Sequence, residues 1–385
     1  MLLIALKMLI GDRTKYISIV LGLSFASFII SQQSAILVGI VYRTFGFITD
    51  TSQAEIWVVD PTSQFIDDIK PLKDTDLFRV RSVDGIDWAM PLYKGLIQAR
   101  LHNGTFQTCI LIGIDDATLI GGPPAMVTGK IEDLRFPDAV IVNRVGADSK
   151  LASYSETARR DIPLMVGDTM ELNDHRAYVA AISETSRTFQ SQPVLYTTYD
   201  RATLFVPAQR KLLSFIIARA KDGLDPRVVC QRIKSITGLA AYTSRELKQL
   251  TVMYYVKNTG IFINFGVAIL LGFIIGIAIA GQTLYNFTVD NLPYFGIFKA
   301  MGADNSVLVK MVLLQALLVS GIGWGIGIGI AAIFGYTTSG TELSFSMPLP
   351  LYLATAISIL LISLFAAYIC IRKVVRLDPA IVFKS

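Results

Sequence analysis

The chain has 385 residues, of which 52% are hydrophobic and 17% are charged, and its mean hydropathy is +0.52. This composition is too apolar for an ordinary soluble domain and indicates a membrane protein. The formal net charge of +5 is small for a chain of this length, so it gives no indication of nucleic-acid binding.

Four apolar stretches are long enough to cross a bilayer, which takes about 20 helical residues. They cover residues 16–42, 259–285, 307–336 and 351–371. None contains Asp, Glu or Arg, and Lys310 lies at the start of the third. This absence is expected because a charge near the bilayer centre costs at least ~2.5 kcal/mol. We expect the polar residues of the first stretch to face other helices rather than lipid: Ser24, Ser27, Ser31, Gln32, Gln33 and Ser34.

The first stretch has two interpretations, a cleavable signal peptide or a retained signal anchor. Its apolar region is longer than the 7–15 residues of a signal peptide, and no small-x-small cleavage site follows before Arg43. We therefore predict a retained anchor, preceded by a cytoplasmic amphipathic helix over residues 1–15.

Lysine and arginine next to membrane spans predict the orientation of the chain. They precede the first span and follow the fourth, in the tail 372–385, whereas the loop 337–350 contains none. Both termini are therefore expected in the cytoplasm. This orientation places residues 43–256 and the loop 337–350 outside, and a loop of residues 286–306 inside.

The large outer region has the pattern of an α+β domain. A helix is predicted from Asp225 to Thr237, with Asp225-Pro226 at its start, and Asn103-Gly104 predicts a hairpin turn. Runs of β-branched and aliphatic residues predict strands at 55–59, 96–101, 109–114, 139–142 and 214–218. A loop-rich stretch suggests a distal lobe at about 121–207, inserted into a membrane-proximal lobe formed by about 43–120 and 208–256.

No set of residues predicts catalysis or metal binding. The two histidines, His102 and His175, have no Cys or carboxylate at metal-ligand spacing. The carboxylate pairs Asp67-Asp68 and Asp115-Asp116 lie in predicted loops, where solvated charge is the simplest interpretation. We therefore expect a non-catalytic chain that holds no metal.

Two cysteines of the outer region leave a question open. Cys109 and Cys230 could form a disulfide in an oxidising compartment, or each could be a buried small apolar residue.

Two of the membrane spans carry glycines at four-residue spacing, which allows close approach of helices. Gly272 and Gly276 lie in the second span, and Gly321, Gly325 and Gly329 lie in the third. The spacing does not distinguish packing within the chain from dimerisation.

The inner loop contains the segment PYFGIFKAMGA at residues 293–303, which predicts a short amphipathic helix that Gly302 ends. Its apolar residues recur at helical spacing: Tyr294, Ile297, Phe298 and Met301. Such a helix either contacts a partner protein or lies among the lipid headgroups.

The same segment carries a family resemblance. Residues 298–303 match the second half of the signature Glu-x-x-x-x-Lys/Arg-Ala-x-Gly-Ala of the FtsX/MacB family of ABC permeases. The preceding residues 290–294, Asp-Asn-Leu-Pro-Tyr, depart from that signature and resemble its DevC branch. The C-terminal residues 372–380 resemble the closing motif of the family, and outer strings at 83–86, 91–93 and 136–140 are similar to DevC.

This resemblance implies a type VII ABC permease with four membrane helices and a large outer domain. It implies an inner-membrane homodimer, driven by cytoplasmic ATPase subunits that use ATP and Mg²⁺, with no cofactor on this chain. In DevC-like systems a periplasmic adaptor and a TolC-like channel complete an exporter of glycolipid or another amphiphile. It assigns ATPase coupling to one set of residues: Pro293, Tyr294, Phe295, Ile297, Phe298, Lys299, Ala300, Met301 and Gly302.

Three other functions remain open. The chain could be a lipoprotein-releasing or lipid-extracting permease, or an FtsX-like regulator of cell-wall hydrolases that transports nothing. A membrane-embedded enzyme is the weakest of the three, because the spans lack paired acids, His clusters or a nucleophile with a base.

Overall fold

The computed structural model describes residues 2–155, 160–206 and 213–376. Its contacts divide the chain into two compact units, one formed by Met1–Ile40 with Gly260–Ser385 and the other by Val41–Thr259. Part of the closing motif, residues 377–380, lies outside the described residues, as does the predicted lobe boundary at 207–208.

Twelve α-helices and twelve strands are found in the described residues. The helices are α1 (Leu2–Gly11), α2 (Arg13–Thr44), α3 (Gly46–Asp50), α4 (Asp74–Arg81), α5 (Arg144–Asp148), α6 (Tyr199–Phe205), α7 (Pro226–Thr237), α8 (Ser244–Asn258), α9 (Ile261–Asp290), α10 (Leu292–Ala300), α11 (Asn305–Thr337) and α12 (Leu349–Val375). The strands are β1 (Ile56–Val59), β2 (Ile86–Arg100), β3 (Phe106–Ile114), β4 (Ala125–Thr128), β5 (Ala139–Asn143), β6 (Ser153–Ser155), β7 (Arg160–Ile162), β8 (Thr169–Leu172), β9 (His175–Glu184), β10 (Val194–Thr198), β11 (Phe215–Ala220) and β12 (Ala240–Thr243).

The helices α2, α9, α11 and α12 are each long and apolar enough to cross a membrane, which confirms the prediction of four spans. Large apolar side chains such as Ile263, Ile333 and Leu353 are exposed on them, as lipid contact requires. In α2 the hydroxyls of Ser24 and Ser27 are buried, and the Ser27 hydroxyl donates to the Trp324 carbonyl oxygen at 3.3 Å. For Ser24 and Ser27, the expectation that the polar residues of this span face other helices is confirmed.

The core of the helical unit joins the long helices with the two short helices α1 and α10. Its buried side chains include Leu9, Leu23, Phe287, Phe295 and Met311. The short helices are therefore folded parts of this unit and are fixed to the spans by apolar packing.

The other unit begins as a four-stranded antiparallel sheet with the order β12-β1-β11-β2. With α4 after β1 and α7 after β11, this is the β-α-β-β-α-β ferredoxin-like arrangement. The predicted helix at 225–237 is confirmed as α7. The Asp225 side chain accepts a hydrogen bond from the Arg227 backbone N–H at 2.9 Å, and Gly238, with φ of +73°, ends the helix.

A second, closed sheet is inserted between β2 and β11. Strand β2 pairs with β3, and the ring continues through β10, β5, β9 and β8 back to β2. Side chains that alternate along these strands fill the interior, among them Ile97, Leu111, Val142 and Val179. The insertion is therefore a six-stranded barrel with a packed core.

The predicted lobe boundary at residue 121 is wrong. Residues 86–92 of β2 pair with β11 and residues 93–100 pair with β3, so the inserted part already begins inside β2. A strand of 15 residues spans about 50 Å, which is long enough to take part in both sheets. The predicted hairpin at Asn103-Gly104 is confirmed, because it joins β2 to β3.

The two sheets share a third core between them. Its centre is the fully buried Trp57, whose ring meets those of Phe47 and Phe215 edge-on at centroid distances of 5.6 and 5.7 Å. From the barrel side, Ile112 and Tyr196 join the same core. These contacts hold the barrel against the ferredoxin-like sheet.

The cysteines are free and buried. Cys109 lies in the barrel core and Cys230 in the separate core beneath α7, so the open question of a disulfide is answered in favour of two buried apolar residues. Burial raises the pKa of each thiol to about 12.

Candidate functional site

The short helix α10 presents an exposed apolar face on the helical unit. Tyr294, Ile297 and Met301 are 56%, 43% and 66% exposed, whereas Phe295 is fully buried in the core. Phe298 packs partly against that core and so does not belong to the exposed face with which the sequence pattern grouped it. The sequence pattern therefore predicted the helix correctly but not which of its faces is exposed.

Both ends of α10 are well defined. Pro293 lies in its first turn, where the missing N–H costs nothing. At its other end Gly302 has φ of +90°, and the Ala303 N–H donates to the Phe298 carbonyl oxygen at 2.9 Å. This is the hydrogen bond of a Schellman cap. The Lys299 ammonium donates at 3.0 Å to the carbonyl oxygen of Val375, the last residue of α12. The helix is therefore held at a fixed position, and Ala300 is exposed at its end.

The predicted helix over residues 1–15 is broken at Asp12. Helix α1 ends at Gly11, and the Asp12 carboxylate accepts a hydrogen bond from the Lys15 backbone N–H at 3.2 Å in the first turn of α2. The Lys15 ammonium pairs with Asp12 at 2.9 Å and also with Asp290 at the end of α9. On α1, Leu3, Leu6, Lys7 and Ile10 are exposed side by side, a combination suited to the membrane surface.

The glycines of the spans have two different environments. A Cβ on Gly272 would lie 3.0 Å from the Ile30 side chain, and one on Gly276 would lie 2.9 Å from the Ala26 Cβ. Among the described residues, no atom outside the local helix lies within 4 Å of a Cβ built on Gly321, Gly325 or Gly329.

In α11, the glycines that pack closely against another helix are two that the four-residue pattern did not include. A Cβ on Gly323 would lie 2.6 Å from the Leu23 Cβ, and one on Gly327 would lie 2.4 Å from the Ser27 Cβ. These positions face α2. The face with Gly321, Gly325 and Gly329 stays open within this chain.

A second feature is a cavity of about 340 Å³ inside the Val41–Thr259 unit. Its lining includes the buried Lys94, whose ammonium pairs with Asp67 and lies 4.5 Å from the centroid of the Phe47 ring. The sequence pattern indicated solvated charge at Asp67-Asp68. Asp67 is indeed exposed, and it also pairs with Lys94 of β2, which the pattern did not indicate. The described residues contain no group of three or more His, Cys, Asp or Glu that could hold a metal ion.

One wall of the cavity is the segment 186–192, which follows β9 and which we name the strap. The Thr188 hydroxyl accepts a hydrogen bond from the Gln192 backbone N–H at 2.8 Å, which closes the strap into a turn. Next to it Asp50 is buried, and this burial raises the pKa of its carboxyl group although hydrogen bonds from Ser186 act in the opposite direction.

Comparisons with known proteins agree with this architecture. Residues 266–379 match the family model of the FtsX-like permease C-terminal region. Two uncharacterized ABC transporter permeases of Mycobacterium tuberculosis, from strains CDC 1551 / Oshkosh and ATCC 25618 / H37Rv, are each 24% identical over 318 residues, covering 81% of this chain and 79% of the relative.

Solved structures that resemble the chain are domains of such proteins. The periplasmic region of MacB from Actinobacillus actinomycetemcomitans has a TM-score of 0.36 and 14% identity, and it covers 55% of this chain and 95% of its own. The extracellular domain of YknZ from Gram-positive bacteria has a TM-score of 0.34 and 11% identity, and it covers 49% of this chain and 98% of its own.

The family match spans nearly all of α9, all of α10 and α11, and α12, and the relatives extend the similarity over most of the chain. The protein is therefore a membrane-spanning permease subunit of an ABC transporter. Its C-terminal helices carry the FtsX-like permease region. A permease of this class implies an ATPase partner on the cytoplasmic side.

Proposed function

We propose that this chain is the permease of an exporter of an amphiphile or glycolipid, powered by a separate ATPase that uses ATP and Mg²⁺. In this proposal two copies assemble in the inner membrane with a periplasmic adaptor and a TolC-like channel. The termini are cytoplasmic, and the Val41–Thr259 unit is periplasmic. The DevC-like motif at residues 290–294 favours this branch of the family.

The observation that carries the proposal is the exposed apolar face of α10. Tyr294, Ile297 and Met301 lie within the family-matched region and are accessible, while Phe295 fixes the helix to the core of the spans. An exposed apolar patch rimmed by polar groups is typical of a protein interaction site. Movement of a partner against this face would be passed to the helices through Phe295.

The proposed mechanism is transmission of movement. Closure of the paired ATPase subunits presses on α10 and α1, and the spans respond as levers. Helix α2 is continuous over 32 residues, about 48 Å, and its residues from Val41 onward belong to the Val41–Thr259 unit. Displacement of α2 therefore moves the start of that unit, and cargo leaves through the adaptor.

The test is co-purification of the tagged chain from its native membrane in mild detergent. We expect recovery of an ATPase together with an adaptor. An ATPase without an adaptor would favour lipoprotein release or wall regulation, and recovery of no ATPase would contradict the proposal.

A pair of variants tests the coupling face itself. Ile297→Asp with Met301→Asp places two charges on the exposed face without entering the core, so the chain should fold but lose the ATPase. Phe78→Asp is the matched control, because Phe78 is 64% exposed on α4 of the other unit. Equal ATPase recovery from all three proteins would exclude α10 as the contact.

A further inference from the structure

Besides α10, the chain has a second feature, a cavity in the Val41–Thr259 unit whose size is that of a ligand site. Its volume of about 340 Å³ falls within the range of roughly 300–1,000 Å³ that is typical of small-molecule pockets. Folded domains leave few voids larger than a water molecule, because empty space forfeits packing contacts. A cavity of this size that opens to solvent, as the exposure of its lining residue Leu96 shows, is large enough to take a ligand.

The walls of the cavity are mainly apolar. Aliphatic side chains from β2, β3 and β10 line it together with residues before β2, namely Ile66, Ile69, Leu96, Ile110, Ile112 and Val194. Aromatic rings border the same space, where Phe65 contacts Tyr255 edge-on at a centroid distance of 5.7 Å. Such walls fit a flexible hydrocarbon chain better than a polar metabolite.

The lining has fewer charged residues than apolar ones, and more of the charged residues are basic than acidic. Arg43, Lys94 and Arg187 face two acids, Asp50 and Asp67. One positive charge remains in excess when both acids are ionised, and the excess grows if the buried Asp50 is protonated. Lys94 is only 7% exposed, and its charge is compensated by Asp67 and the Phe47 ring. With Lys94 paired in this way, Arg43 and Arg187 are the basic groups of the lining that an anionic head would meet.

The position of the cavity along the chain fits a membrane-derived ligand. Arg43 and Thr44 of its lining are the last residues of α2, and Tyr255 comes six residues before α9 begins. We propose that this cavity binds one hydrocarbon chain of an amphiphile with an anionic head, with the strap as one wall. This inference rests on the proposed export of amphiphiles, and it names the site where such a molecule is held.

The probe is palmitoyl lysophosphatidylglycerol with a photoreactive diazirine in its chain, added to the full-length protein in nanodiscs. After irradiation, labelled peptides are identified by mass spectrometry. We expect label on peptides that contain Ile66, Ile112 or the strap. Unlabelled lysophosphatidylglycerol should compete at least tenfold better than the zwitterionic lysophosphatidylcholine. Label confined to α9, α11 and α12, or equal competition by both lipids, would overturn the proposal.

Leu96→Trp fills the cavity with the least risk to folding, because Leu96 lines the cavity but is 51% exposed. Leu204→Trp is the matched control, since Leu204 is 59% exposed on α6 of the same unit and lies outside the lining. We expect at least a tenfold loss of labelling in Leu96→Trp and none in the control. Equal labelling of both variants would contradict the site.

Two sources could supply this chemistry, a resident phospholipid or the exported cargo. Amphiphiles released from the protein purified from its own membrane can be identified by mass spectrometry. Recovery of either kind from wild type but not from Leu96→Trp supports the site and distinguishes the sources, whereas equal recovery from both proteins contradicts it. ATPase co-purification is measured on the same samples. An intact ATPase complex with no cavity labelling would overturn this inference alone, and loss of the ATPase from wild type would overturn the proposed function.

Discussion

The carboxylate of Asp50 accepts two hydrogen bonds from Ser186, one from the backbone N–H at 2.8 Å and one from the hydroxyl at 2.7 Å. Asp50 ends α3, directly after the first membrane helix, and Ser186 begins the strap. Near the other end of the strap, the Arg43 guanidinium donates to the Ser191 hydroxyl oxygen at 3.1 Å. Hydrogen bonds thus join both ends of the strap to residues 43–50, which contain the end of α2 and all of α3. A displacement of α2 would therefore change this wall of the cavity.

Removal of the Ser186 hydroxyl should loosen the strap. In Ser186→Ala the buried Asp50 carboxylate loses one of its two donors, and a buried acceptor left with less hydrogen bonding costs about 1–3 kcal/mol. We expect faster hydrogen exchange in residues 186–192, measured by mass spectrometry. Ser235→Ala is the control, because Ser235 is exposed and bonds only within α7 at Arg232. Unchanged exchange in the strap would show that the backbone N–H alone is sufficient.

The stability of the protein should depend on the protonation of Asp50. Burial is the largest cause that raises the pKa of this carboxyl group, while the hydrogen bonds from Ser186 and the charge of Lys248 act against it. The pKa of Asp50 is higher in the folded state than its ordinary value of 3.8. The contribution of Asp50 to the free energy of unfolding is therefore fully present below pH 3.8, and it is lost as the pH rises through the pKa of the folded state.

This dependence can be measured by thermal unfolding of the full chain in detergent, followed by tryptophan fluorescence from pH 4 upward. The wild type should lose more stability with rising pH than Asp50→Asn, which carries no titrating group. Asp222→Asn serves as control, because the Asp222 side chain is fully exposed. Parallel pH profiles for the wild type and Asp50→Asn would disprove the assignment.

The features that could be predicted from the sequence are those set by local pattern. The four spans follow from hydrophobic length, and α7 follows from the Asp225-Pro226 start and the glycine at its end. The barrel could not be predicted, because its closure depends on the parallel pairing of β3 with β10, which are about 80 residues apart.

The candidate sites show the same division. The helical spacing of apolar residues predicted helix α10. Which of its side chains are buried depends on packing against the long helices, which buries Phe295 fully and leaves Ile297 exposed. Likewise, Asp67 carries no local sign that it pairs with Lys94, which lies 27 positions away along the chain. The cavity is formed by residues from six separate segments, and none of these contains a motif that could have indicated it.

The three cysteines should react slowly with maleimide in the folded protein. Cys109, Cys230 and Cys370 are buried, and burial raises the pKa of Cys109 and Cys230 to about 12, so almost no thiolate is present at pH 7. Mass spectrometry should detect three added maleimides after denaturation without reductant. Detection of only one would demonstrate a disulfide between Cys109 and Cys230 and would contradict the two separate cores described above.

Two glycines of α11 should respond in opposite ways to the same substitution. Gly327→Leu cannot be accommodated, because a Cβ at this position would lie 2.4 Å from the Ser27 Cβ and 2.5 Å from the Ser24 carbonyl oxygen. Packed interiors do not tolerate such overlap without shifts of the backbone. We expect loss of the monodisperse peak in detergent gel filtration and a lower unfolding temperature.

Gly325→Leu is the matched variant, two residues away on the same helix. Among the described residues, no atom outside its own helix turn lies within 4 Å of a Cβ built there, so the helical unit should fold normally. If the open face with Gly321, Gly325 and Gly329 joins two copies of the chain, this variant should convert a dimer into a monomer in native mass spectrometry at an unchanged unfolding temperature. A dimer that persists would show that the copies meet through another surface, because a leucine side chain is too large for a helix contact built on glycine.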